Sequence, residues 1–352
     1  MYESDDIVVW NLSPGGMARC GAVSIFNVVG ALKRPNEIRE AHYSLNAGPE
    51  HPVFFERAKT TLRLGAPGEF NIDTIMSSSL GEQNLLRFRI VRTDGRTGIH
   101  ELTFGARPFL DPSPRFKLDL SRASNAEEVG QVVDGPWRVA EDEGGRRCLE
   151  IRPGDAGYDR IVLFGRHDWT TGYELFARFS VTALTGMHNV GLIFKWNPHK
   201  QGDGTWLPSQ WSTGLGYYCS YGEPGVRIRF GVDVHRNEAG EKVGDHLLGH
   251  AHLNRLRYRR TWLVSKFWRS KPPSELKLHQ DYLCRLRVHP HQYALTMWRP
   301  GHSGMATNEG GEEPMPQVVV DEPSDLLPRG SVGMIAHQVG IRLYELEAKP
   351  ID

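Results

Sequence analysis

The stretch that decides the fold is GYDRIVLFGRHDWTTGYELFARFSVTALTGMHNVGLIFKWN, residues Gly157–Asn197. It holds three runs rich in Val, Ile, Phe and Tyr: Asp159–Phe164, Tyr173–Val181 and Val190–Trp196. Clusters of Gly, Asp, Asn and Thr separate them, which predicts consecutive antiparallel strands rather than helices. Alternation along Tyr173–Val181 sorts the side chains. Tyr173, Leu175, Ala177, Phe179 and Val181 share one face, and Glu174, Phe176, Arg178 and Ser180 the other. A face that carries Glu, Arg and Phe together is either solvated or shaped to hold something polar and flat.

Strand-like runs continue outward in both directions. After Gly157–Asn197 come Gly214–Ser220, Val226–Val234, Tyr282–Val288, Tyr293–Trp298, Val332–His337 and Val339–Glu347, and Arg147–Ile151 lies before it. Between Ile7 and Pro108, short runs alternate with turn signals about every 10 residues, such as Ser13-Pro-Gly-Gly and Thr93-Asp-Gly. Among them are Gly21–Val29, Glu40–Leu45, Glu69–Ile75 and Asn84–Thr93. Pro108-Phe-Leu-Asp-Pro-Ser-Pro breaks the pattern, because three prolines in seven residues cannot continue a ladder. Phe116–Leu120 is expected to open the second domain, with a helical turn within Asn125–Val132. The expected organisation is therefore 1–107, a Pro-rich linker over 108–115, and 116–352.

Two resemblances sharpen this. His42-Tyr-Ser-Leu-Asn-Ala-Gly, Leu64–Asp73 and Asn84-Leu-Leu-Arg-Phe-Arg-Ile resemble an immunoglobulin-like domain of bacterial extracellular proteins. Tyr173-Glu-Leu-Phe-Ala-Arg, Val190–Trp196, Tyr293–Trp298 and Gly330–His337 with the closing Ile341–Leu346 resemble the concanavalin A-like, laminin-G-like superfamily. These imply an all-β chain, an immunoglobulin-like sandwich followed by a concanavalin A-like jelly roll. The second fold hosts lectins, hydrolases, lyases and adhesion modules alike, so it leaves activity open.

Composition narrows the partners. Lys+Arg and Asp+Glu balance at 42 each, so no global field recruits nucleic acid or an anionic membrane. No apolar run approaches the roughly 20 residues of a membrane-spanning helix. The acidic opening MYESDDIVVWNLSPGG lacks the order of a signal peptide. That favours the cytoplasm, whereas the domain types favour the cell exterior. Cys20, Cys148, Cys219 and Cys284 are scattered without a CxxC pair, and buried free thiols are the leading reading, with two bridges as the alternative. No cofactor is expected. The superfamily allows Ca²⁺, with Asp159 or Asp203 as oxygen donors, but no ligand spacing supports it.

Seven of the nine Trp lie between Trp169 and Trp298, so aromatic chemistry belongs to the second part of the chain. Sugars are held by rings against their C–H faces and by amides, carboxylates and guanidinium groups on their hydroxyls. The loop Lys195–Trp211 and the adjoining strands offer both in Trp196, Asn197, His199, Asp203, Trp206, Trp211, Tyr217 and Arg227. The bland alternative puts Trp206 and Trp211 over a sheet edge and Trp196 in the core. Arg227 and Arg229, and later Arg285 and Arg287, form two rungs that either line a groove for an acidic or hydroxyl-rich ligand or face solvent.

Glycan binding is the leading expectation. A hydrolase of this superfamily resemblance would carry an alternating Glu-x-Asp-x-x-Glu run, which is absent. A hydrolase with another acid pair or a lyase is the second reading. The third is a structural subunit that docks a protein partner through His252–Lys271, whose segment Arg255–Lys271 carries seven basic residues and no acid among Tyr258, Trp262, Phe267 and Trp268.

Overall fold

The computed structural model describes residues 1–22, 25–55, 64–109, 115–157, 160–166, 172–196, 215–221, 226–237, 256–268, 278–289, 292–298, 300, 318–321 and 331–351. For 215–221, 226–237, 256–268 and 318–321 it describes the backbone alone. The chain is all-β.

Among the described residues, nine strands precede residue 109: β1 (Tyr2–Glu3), β2 (Ile7–Val9), β3 (Met17–Cys20), β4 (Ile25–Leu32), β5 (Ile38–Leu45), β6 (His51–Pro52), β7 (Glu69–Met76), β8 (Asn84–Arg92) and β9 (Thr97–Pro108). They form two sheets, ordered β1-β2-β4-β7 and β3-β9-β8-β5-β6. Alternate residues such as Val28, Phe70, Leu86, Phe88 and Ile90 meet in one core between them. Of the run expected as one strand over Gly21–Val29, Ile25–Val29 lies in β4. Gly21 sits at φ +81°, a conformation that ends β3 before β4 begins at Ile25.

Thirteen more described strands complete the chain: β10 (Phe116–Lys117), β11 (Gln131–Asp134), β12 (Arg138–Glu141), β13 (Arg147–Ile151), β14 (Arg160–Arg166), β15 (Tyr173–Trp196), β16 (Leu215–Tyr221), β17 (Val226–Asn237), β18 (Leu256–Trp268), β19 (Asp281–Val288), β20 (Gln292–Trp298), β21 (Val318–Asp321) and β22 (Ser331–Pro350). Hydrogen bonds join all thirteen. The expected helical turn is a 3-10 turn at Ala126–Glu128.

Two long strands turn this sheet into a sandwich. The first half of β15 pairs with the last part of β22 and with β19; its second half pairs with the start of β22 and with β16. Between the halves the register jumps: Leu184 lies opposite Val339 and Asn189 opposite His337. Four residues of one strand, 185–188, thus lie against one of the other, Gln338, a large bulge that redirects the ladder. Gln338, at φ +53°, sits at the same corner of β22. Both halves send their buried sides into one core, where Leu175, Ala177 and Phe179 meet Val190, Leu192, Phe194, Met334 and Leu343. The result is a jelly-roll-like β-sandwich. Tyr173–Val181 and Val190–Trp196, expected as separate strands, are one, as are Val332–His337 and Val339–Glu347. The Thr, Gly and Asn residues of 182–189 mark a corner rather than a strand end.

The two outer faces of this sandwich differ. Around Ile161, Leu163, Ile193 and Ile335 the surface is apolar and is covered by Ala22 and Phe109, which follow β3 and β9. Polar groups buried at this junction are satisfied. Gln131 donates through Nε2 to the Ile25 carbonyl (2.6 Å) and accepts from the Ala22 N–H (3.0 Å). Asn71 Nδ2 donates to the Val133 carbonyl (2.8 Å). Arg160, 2% exposed, bridges Asp134 and Glu69, each at 3.4 Å. Its side chain fills the place a Cβ on Gly135 would take, and Gly135 also has φ +83°.

Candidate functional site

The opposite outer face is built by the first half of β15 between β22 and β19, with β20 beyond. The register lays out three rows. Lys349, Glu174, Arg287 and Ala294 form the first; Glu347, Phe176, Arg285 and Thr296 the second; Glu345, Arg178, Leu283 and Trp298 the third. The alternation anticipated for Tyr173–Val181 holds. Leu175, Ala177 and Phe179 are at most 1% exposed in the core, and the Glu–Phe–Arg set lies on the outside.

Glu174 is the centre of the first row and is buried. Its carboxylate lies 3.1 Å from Arg287 Nε, 3.5 Å from Arg285 Nε and 3.5 Å from Lys349 Nζ. Arg287 donates a charge-assisted hydrogen bond to it, and Arg285 and Lys349 add ion-pair contacts at longer range. Arg285 also lies over the Trp298 ring, 5.7 Å from its centroid, and Phe176 packs on Trp298 at 6.4 Å and 51°. Trp298 is 1% exposed and lies beside Arg285 and Phe176 on the same face, where Ala294 and Thr296 of the same strand are buried as well, so the β20 edge of the face is covered. The groups that reach the surface are half-buried Phe176, Arg287 and the Lys349 ammonium.

Further along the face the charges close on themselves. Asp281 accepts from Arg178 Nε (2.8 Å) and from Arg146 Nη1 (2.7 Å). Arg146 also bonds Asp142 Oδ2 (2.8 Å) and lies 4.1 Å above the Tyr344 ring. Arg342 joins Glu150 (3.2 Å) to Glu143 (2.5 Å). The acids here are held low. For Asp142 the chief cause is the Arg146 backbone N–H, and the carboxyl falls to about 2. For Glu143 it is the hydrogen bond from Arg342, again to about 2. Burial would raise Asp281, but the hydrogen bonds from Arg146 and Arg178 outweigh it and hold it below its ordinary value.

The residues singled out on the loop and its adjoining strands are not part of this group among the described residues. Asn197, His199, Asp203, Trp206 and Trp211 lie outside the described residues, as does Asp159. Trp196 ends β15 opposite Ser331, Tyr217 in β16 lies opposite Phe230, and Arg227 in β17 lies opposite Ser220. Most of the basic stretch, from Leu256 to Trp268, is strand β18, paired along β17; Arg255 and 269–271 lie outside the described residues. The structure brings together Glu174, Phe176, Arg178, Arg285 and Arg287, which the alternation and the arginine rungs flag separately. Trp298 and Lys349 were missed as members of the group. Only the register across β20 and β22 places them there.

Cys20, Cys148 and Cys284 are buried free thiols, and burial, helped by Glu150, pushes Cys148 up to about 12. Among the described residues no group of three or more His, Cys, Asp or Glu could hold a metal ion, and no helix is long and apolar enough to cross a membrane.

No protein-family model matches the chain, and no curated protein does. Solved structures offer distant likenesses. The VIP36 exoplasmic/lumenal domain in its Ca²⁺/Man2-bound form is 10% identical, with TM-score 0.40 over 68% of this chain and 88% of that one. A variant of the GH43 protein BlXynB from Bacillus licheniformis is 10% identical, with TM-score 0.36 over 93% of this chain and 51% of that one. Xylan β-1,4-xylosidase from Bacillus halodurans is 10% identical, with TM-score 0.37 over 98% and 64%. At such scores the functional reading rests on the geometry of this chain alone.

Proposed function

We propose that the chain binds carbohydrate on the charged outer face of its C-terminal sandwich. The observation that carries this reading is the Glu174 centre: a buried carboxylate among Arg285, Arg287 and Lys349, beside the Phe176–Trp298 ring pair. A sugar needs a flat apolar contact for its C–H face and fixed donors and acceptors for its hydroxyls. Phe176 offers the first, and the Glu174 cluster offers the second, pre-oriented by its own ion pairs. The loop that holds Trp206 and Trp211 is retained as a second contributor to the same ligand. The N-terminal strands serve as a platform in this reading. Their order, β2-β4-β7 facing β9-β8-β5, matches the A-B-E and G-F-C sheets of an immunoglobulin-like sandwich, which supports that part of the proposal.

The test is a binding screen of the full chain on a broad glycan panel, beside Phe176→Ala and Arg287→Ala. Binding weakened about tenfold or more by either change supports the face. Binding lost only in Trp206→Ala and Trp211→Ala would assign the loop instead. Incubation of any ligand found would show whether it is cleaved.

A further inference from the structure

A second site is formed where the two sandwiches meet. Arg19 of β3 and Phe109, which follows β9, face Phe116, Lys117, Arg122 and Phe164 across an open cleft of about 440 Å³. That is within the range of small-molecule sites. Its apolar floor includes Phe116 and Phe164, whose ring centroids are 5.4 Å apart, with Phe109 at the side.

The charges around this floor are unequal in their commitments. Both acids of the cleft, Glu128 and Asp119, are occupied locally. Glu128 accepts from the Ser124 N–H (3.0 Å) and from Asn125 Nδ2 (3.1 Å), and Asp119 accepts from the Ser121 N–H (2.9 Å) and hydroxyl (2.6 Å). Arg115, at the rim, pairs with Glu347 on the neighbouring strand. Arg19 donates to the Glu128 carbonyl (3.3 Å) and lies 5.7 Å over the Phe109 ring. Burial, then the neighbouring Arg107, lowers its pKa, so this guanidinium sits where an added anion would be favourable. Lys117 and Arg122 form no ion pair among the described residues. Asp119 feels the charges of Arg122 and Lys117, but its close contacts are to Ser121, so three cations from two sandwiches border one aromatic floor beside a single nearby carboxylate.

We infer that this cleft binds an anionic sugar ring, its apolar face on Phe109 and Phe116 and its carboxylate or sulfate among Arg19, Lys117 and Arg122. The site needs both sandwiches, because Arg19 and Phe109 come from one and the remaining groups from the other. It is separate from the Glu174 centre and does not depend on that centre's function.

Calorimetric titration of the full chain with glucuronate, glucose 6-sulfate, glucose and inorganic sulfate tests it. Both anionic sugars are expected to bind at least about tenfold more tightly than glucose and than inorganic sulfate, and more weakly as salt rises. Which of the two binds better identifies the anionic group. Arg122→Glu with Lys117→Glu, both exposed positions, should cut the affinity about tenfold or more while the circular dichroism spectrum and melting temperature stay as in the parent. Phe109→Ala should weaken the sugars but not inorganic sulfate. Equal binding of glucose and glucuronate, equal binding of inorganic sulfate and the sugars, or no response to the paired charge reversal would each overturn the inference, as would no saturable binding of either anionic sugar.

Discussion

The two outer faces of the C-terminal sandwich are made by the same pair of strands. Yet one is sealed and the other is charged. Along the second half of β15 and the start of β22, the outward residues include Ile193 and Ile335, and Ala22 and Phe109 close over them. Along the first half of β15 and the end of β22, they are Glu174, Phe176, Arg178, Glu345, Glu347 and Lys349. Backbone pairing does not distinguish the two faces; side-chain chemistry does. An apolar outer face is a dock that burial drives shut. A face built on ion pairs gains little from closure, because its groups would lose water, and Phe176, Arg287 and Lys349 keep part of it at the surface.

The contrast predicts where substitutions hurt. Ile161, fully buried at the sealed face, should cost about 2–5 kcal/mol when changed to Ala, read as a shift in denaturant midpoint. A cost near zero would mean that the dock is not part of the folded core. Gln131→Ala strands the Ala22 N–H and the Ile25 carbonyl, at about 1–3 kcal/mol for each group left without a partner. Gln131→Glu keeps the acceptor and should rescue only part of that loss.

Acid titration should separate the faces by sign. At the open face Asp142, Glu143 and Asp281 have depressed values, so their contribution is complete above about pH 4 and is lost as pH falls toward 2. At the junction Glu127 runs the other way. Burial raises it, so the native state holds its proton more tightly and stability falls as pH rises from about 4.5 through the shifted value. Glu127→Gln should flatten the second effect and leave the first. Melting curves across pH for the two proteins check both signs.

The smallest effect belongs to Arg178→Ala. Its pairs with Asp281 and Glu345 are about a third exposed and screened by solvent, so the expected cost is about 0.5–1 kcal/mol. A loss several times larger would show that the charged face supports the fold in the same way as the sealed one.

Much of this architecture was legible in the order of residues. Alternation over Tyr173–Val181 separated core from surface side chains. The corners were not legible. Thr, Gly and Asn at 182–189 carry the same signal whether a strand stops or bends, and only cross-strand pairing with β22 tells them apart. The Glu174 centre was half legible, since Arg285 and Arg287 announced a rung but Lys349 and Trp298 join it through register alone. The cleft was hidden altogether, because Arg19 and Arg122 lie far apart in the chain and meet only when the sandwiches dock.

The central claim is that the charged outer face recognises carbohydrate, and the most direct measurement is the glycan panel with Arg287→Ala and Phe176→Ala beside the parent chain. The account predicts a bound glycan whose affinity falls about tenfold or more with each change, while both variants keep the parent's circular dichroism spectrum. A parent chain that binds no glycan, or variants that bind as the parent does, would contradict it.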